Sequence, residues 1–212
     1  SLTANTTADY NTALGDTSLA ANSTGEHNTA IGQGSLQTNT TASNNTSVGY
    51  DALGDCTTGF SNVAVGHNAL NALTDADENT AVGKDALGAL TTGNYNTAIG
   101  FESLATVTTG TQLVAVGRHA LYSNSTGSQN TALGYSVLYA NTDGESNTAA
   151  GYAALTSNTT GSRNTAFGRD ALYTNTTGTN NTAIGNEALE VNNASDCTAV
   201  GHHALTSNTT GT

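Results

Sequence analysis

Proline, methionine and tryptophan are absent from this chain of 212 residues, and only 9% of its residues are charged. Neither an ordinary globular enzyme nor a charged disordered tail has that composition. Basic residues are scarce too. Four Lys and Arg face sixteen Asp and Glu, a formal charge of -12 that repels nucleic-acid phosphates and anionic lipid surfaces. Nucleic acid is thereby set aside as a partner. No apolar run approaches the roughly 20 residues of a membrane span, and no charged segment followed by an apolar one marks a signal peptide. The chain does not begin with Met and reads as a segment of a longer protein or filament. Two cysteines cannot build a disulfide framework in a chain this size, so they leave the redox compartment open. Aliphatic side chains are too few for one thick core. The abundant Asn, Thr, Gly and Ala point instead to backbone ladders around a thin one.

The abundance is periodic. Glycines stand at Gly15, Gly32, Gly49 and every seventeenth position to Gly185, with Gly201 following after sixteen. Four residues beyond each of these twelve anchor glycines is a leucine, from Leu19 to Leu205. The unit reads NTAIG-xx-AL-xx-NTTG-xx, with a second glycine ten after the first in nine copies, from Gly25 to Gly211. Two glycines per unit mark two corners. Seventeen residues are too few for a helical hairpin but suit two or three short strands, so the fold class is all-β, a parallel β-solenoid. Residues 1–10 form an incomplete coil, and twelve coils run on to 212 as one repetitive shaft. At about 4.8 Å per coil the rod is about 58 Å long.

Strand alternation assigns faces. The residue before each anchor glycine is aliphatic or Phe167, which predicts an inward position, and the Thr two earlier, replaced by Val63 and Val114, would share it. Asn recurs seven after the anchor, giving way to Cys56, Leu73, Leu90 and Val107 in four consecutive coils. An apolar run confined to neighbouring coils predicts a buried position at which the remaining Asn side chains stack as an amide ladder. The Ala between the two supposed inward residues then faces out. Ala64, Ala81, Ala98, Ala115, Ala132 and Ala149 are accordingly expected to form a self-association stripe approached by another sheet or chain.

The coils Asn62-Val63-Ala64-Val65-Gly66 and Leu113-Val114-Ala115-Val116-Gly117, each followed by Ala-Leu, resemble the YadA-like head repeats of trimeric autotransporter adhesins. The whole NTAIG-type unit is similar to repeats of phage and bacterial tail-fibre proteins, over all twelve coils. That resemblance implies a left-handed roll, a homotrimer or end-to-end stacking into a fibre, and binding to surface glycans or host matrix. YadA-like coils are shorter than seventeen residues, so this chain needs a larger corner or a third short strand.

Two after the anchor, Asp85, Glu102 and His119 fall in successive coils, and Asp170, Glu187 and His203 repeat the order. Neighbours about 4.8 Å apart are close enough for Asp85 with Glu102, or Asp170 with Glu187, to share calcium. They also approach the separation of a glycosidase pair. A solvated corner behind an internal duplication is the favoured account, and no other cofactor is expected. His27 and His67 lie in distant coils, and His202 and His203 alternate sides, so none reads as a metal set. Cys56 and Cys197 are nine coils apart and cannot bridge. Sequons at Asn5, Asn22, Asn39, Asn44, Asn45, Asn124, Asn158, Asn175, Asn180, Asn193 and Asn208 read as by-products of ladder and turn chemistry. The expected function is a structural extracellular fibre or adhesin shaft on a cell or virion surface, with no enzymatic activity. The rivals are a tailspike-like carbohydrate-active solenoid and an ice-binding solenoid. The latter is disfavoured because the paired threonines are interrupted at Asp75, Asp143 and Ala194.

Overall fold

The computed structural model describes residues 1–208, so the expected corner at Gly211-Thr212 and the end of the Asn208 sequon lie outside the described residues. The chain is an all-β parallel solenoid. Twelve strands, from β1 (Thr12–Leu14) to β12 (Thr198–Val200), form one sheet in sequence order. Every neighbour is parallel and in register, as in Thr97↔Val114, Ala98↔Ala115 and Ile99↔Val116. The seventeen-residue period is thus the pitch of one coil.

Each coil contributes one strand of three residues, where the sequence suggests two or three. The remainder stays in the backbone ladder without being extended: Leu36 N donates to Ala52 O at 3.1 Å and Asn44 N to Glu26 O at 3.1 Å. Three positions per coil interrupt extension by adopting left-handed φ. In the coil around Gly100 they are Tyr95 (62°), Glu102 (52°) and Leu104 (52°). None is glycine, so the left-handed corners are made by ordinary side chains. The anchor glycines add a fourth positive φ, as at Gly100 (137°), and also permit close approach. A Cβ on Gly100 would run into the carbonyl group of Gly117 in the next coil, and one on Gly144 into Asn141 Oδ1 and the Gly161 carbonyl. Coil-to-coil contact is too close there for any side chain.

The alternation of the strand is as expected, but its phase is reversed. Ala64, Ala81, Ala98, Ala115, Ala132 and Ala149 are fully buried inside their own chain and belong to its hydrophobic core. They cannot line a surface between chains. The residues on either side face out: Ile99 is 41% exposed, Phe167 41% and Leu133 42%. The cause is the thinness of the coil. The leucines four after the anchor, such as Leu87 and Leu104, already fill the interior with no exposure. Opposite them only a methyl group fits, so the larger aliphatic side chains are turned outward. Where Ser47 replaces the strand alanine, its hydroxyl is satisfied inside the core by Ala52 O at 2.6 Å and Ser35 Oγ at 2.7 Å.

Two asparagine ladders complete the interior. The expected one, seven after the anchor, runs Asn158 Nδ2 to Asn141 Oδ1 at 2.7 Å and Asn141 Nδ2 to Asn124 Oδ1 at 2.8 Å. The second uses the Asn that precedes ten of the twelve strands, Leu113 and Cys197 taking its place before the others. Asn147 N donates to Asn130 Oδ1 (2.9 Å), Asn147 Nδ2 to Gly161 O (2.8 Å), and Asn147 Oδ1 accepts from Asn164 N (2.9 Å). Each amide therefore ties three successive coils, which answers the rule that buried polar groups are hydrogen-bonded.

The sixteen-residue coil from Gly185 to Gly201 loses its residue at the N-T-T-G corner. In a regular coil, the Thr142 carbonyl accepts from the amides of Ser125, Thr126 and Gly127 (2.9, 3.3 and 3.3 Å). At the shortened corner, Asn193 Oδ1 accepts from Thr176, Thr177 and Gly178 instead (3.0, 2.9 and 3.3 Å). A side-chain amide stands in for a missing peptide group, and the next strand stays in register.

Candidate functional site

The carboxylates two after the anchor stand in successive coils, with Glu102 N bonded to Lys84 O beside Asp85, and each already has a basic neighbour. Asp85 is paired with Lys84, and His67 Nδ1 lies 4.0 Å away. Glu102 Oε2 is 3.1 Å from His119 Nε2, Asp170 Oδ2 is 2.8 Å from Arg169 Nε, and Glu187 Oε2 is 2.9 Å from His203 Nδ1. The Glu102–His119 contact is a close approach without an aligned hydrogen bond, and the buried Nε2 has no hydrogen-bond partner. Its hydrogen bond to Asp85 holds the Lys84 ammonium above its ordinary pKa. Among the described residues, no three His, Cys, Asp or Glu side chains converge as a metal would need. For Asp85, Glu102, Asp170 and Glu187 to hold calcium, these basic partners would have to be displaced.

Cys56 and Cys197 are both buried. Burial pushes the Cys56 thiol up to about 12. It sits in an amide-ladder position, with its sulfur 3.4 Å from Gly59 O. Six sequon asparagines (Asn22, Asn39, Asn45, Asn124, Asn158 and Asn175) are wholly buried ladder members. Asn5, Asn44, Asn180 and Asn193 are exposed.

Two outward features remain. The first is the outer sheet face, a column of Thr or Val beside a column of Leu, Ile, Val, Ala or Phe, running the length of the array with no charged residue. The second was not singled out in the sequence. One residue after each anchor glycine, Lys84, Phe101, Arg118, Tyr135 and Tyr152 stack in successive coils. The Lys84 ammonium is 5.4 Å from the Phe101 ring centre, and the Arg118 guanidinium lies 5.6 Å from Phe101 and 5.8 Å from Tyr135. Tyr135 and Tyr152 stack at 5.2 Å with their planes 7° apart. The signal was available as a column of rings alternating with cations, the pattern that cation–π attraction selects. Parallel to it, five after the anchor, Tyr122 and Tyr139 stack at 5.1 Å. Comparison with protein-family models, curated proteins and solved structures gives no match.

Proposed function

We propose that the chain is a structural, self-associating shaft, whose outer sheet face packs against a second copy. The observation that carries this reading is the uncharged ladder pair along the strands, with Val65, Val82, Ile99, Leu133, Phe167 and Ile184 each at least 36% exposed. Two columns about 10 Å across and about 58 Å long make a patch of about 600 Å². The apolar column is half of it, about 300 Å², which reaches the few hundred Å² at which contiguous apolar patches mark interaction surfaces. A second copy is the partner whose rise along the axis necessarily matches this spacing. The charge of -12 is all carried elsewhere on the coil, so a face-to-face contact brings no like charges together. An oligomeric rod of this kind acts mechanically, holding a binding element away from a cell or virion surface.

The test is the mass of the assembly by analytical ultracentrifugation. Wild type is expected as an oligomer. The double variant Val82→Glu, Ile99→Glu is expected as a monomer with unchanged circular dichroism, since both side chains already face out. A monomeric wild type overturns the reading. The same two-column array of hydroxyl and methyl groups, with Thr in ten of twelve coils, supports a second reading as an ice-binding face. Thermal hysteresis of wild type, abolished by the same two substitutions, would favour it.

A further inference from the structure

The stack that follows the anchor glycines ends abruptly. From Lys84 to Tyr135 each ring is covered by a cation or ring of the next coil. Arg169 stands in register to cover the outer face of Tyr152, but its Nε turns to Asp170 instead. Among the described residues no ring or cation closes that face. Tyr152 is 54% exposed.

The neighbouring columns are also empty at this height. Five after the anchor, Tyr139 and Tyr173 flank Thr156. Two after it, Ser136 and Asp170 flank Ala153. The Thr156 hydroxyl is bound to Ser136 O at 3.0 Å and does not reach into the space. One coil with three small or uncovered positions therefore leaves a groove of about 390 Å³. Tyr135, Tyr152 and Tyr173 line it together with Arg169, Asp170 and Glu190. That volume lies within the ordinary range of small-molecule sites, roughly 300 to 1,000 Å³.

The geometry points to a subsite for a neutral oligosaccharide of about two hexose rings. A pyranose has an apolar face of C–H groups and a rim of hydroxyls. The uncovered Tyr152 face receives the former, and the carboxylates of Asp170 and Glu190 with the Arg169 guanidinium meet the latter as acceptors and donors. The carboxylates and the overall negative charge select against acidic sugars. The groove is made by turn residues outside the sheet face, so it does not depend on how copies associate.

Cellobiose, maltose and lactose are each titrated at millimolar concentration against the full chain, read by tyrosine fluorescence and by saturation-transfer NMR. At least one is expected to bind, and the corresponding uronic-acid disaccharide to bind less well. Thr156→Tyr restores the residue that flanking coils carry, so it keeps the fold while filling the notch, and should abolish binding. Tyr152→Ala should weaken it about tenfold, the loss of one good contact. Tyr50→Ala, in the same column but remote from the groove, should leave it unchanged. Binding that survives Thr156→Tyr, tighter binding of the acidic sugar, binding of a tripeptide such as Gly-Phe-Gly in place of the sugars, or no response to any of the three overturns the assignment.

Discussion

Replacing Asn147 by Ala tests whether the amide ladders or the leucines hold the coils together. The truncation orphans one buried backbone group, the Asn164 amide, which donates to Oδ1 at 2.9 Å, and removes one of the two bonds to the Gly161 carbonyl, which keeps Asn158 Nδ2 at 2.9 Å. The orphan costs about 1 to 3 kcal/mol and the lost bond about 0.5 to 1.5 kcal/mol, so the loss should be about 1.5 to 4.5 kcal/mol. Asn147→Leu orphans the same amide but fills the void. The chain contains its own precedent, because Leu113 occupies this column fully buried and its amide still donates to Asn96 Oδ1 at 3.0 Å. Leu should therefore recover about 1 to 2 kcal/mol relative to Ala. Asn147→Asp should be the worst of the three, since it places a carboxylate against the Gly161 carbonyl with no donor between them. Urea unfolding followed by circular dichroism reads these losses as midpoint shifts at constant slope. An Ala variant within about 0.5 kcal/mol of wild type, below the cost of even one orphaned group, would refute the reasoning. So would a Leu variant less stable than the Ala one.

Cys56, whose thiol burial pushes up to about 12, should resist thiol reagents at pH 8 in the folded chain and react once urea unfolds it. Because its folded pKa lies above the unfolded one, the unfolded state loses the proton first. Its contribution to stability should thus fall as pH rises from about 9 towards 12, measurable as a declining urea midpoint. Asn193→Ala should remove the shared acceptor of three amides and speed hydrogen exchange at Thr176, Thr177 and Gly178, while the middle coils stay protected. Asn193→Asp, which keeps an acceptor, should do so less.

The period, the parallel register and the buried Asn column were legible in the sequence because repetition turns each into a column of substitutions. Cys56, Leu73, Leu90 and Val107 betrayed burial by clustering in successive coils. The phase of the strand was not legible. Hydrophobicity alone turned Ile99 inward and Ala98 outward, and only the room left by Leu104 decides otherwise. For the same reason, Ala81→Glu and Ala98→Glu would bury a charge in the chain's own core and unfold it rather than dissociate an oligomer. The carboxylate row was legible as a row, but its cationic partners at Lys84 and Arg169 belong to the adjoining column. The groove escaped notice because it is defined by what Ala153 and Thr156 lack.

The left-handed residues impose a condition on length. Three non-glycine residues per coil in that region cost roughly 1 to 2 kcal/mol each, or about 3 to 6 kcal/mol per coil. Most of the bonds that offset this cost run between coils, as from Leu104 N to Ala120 O, and only a minority are turn bonds within one, as from Ser103 N to Gly100 O. A solitary coil carries the whole penalty with no neighbour to relieve it, whereas a coil laid on a finished one gains a full set of bonds at once. Formation therefore resembles crystal growth, with an unfavourable seed followed by templated addition. Below some small number of coils the array has no stable state, and above it an existing end directs each new turn.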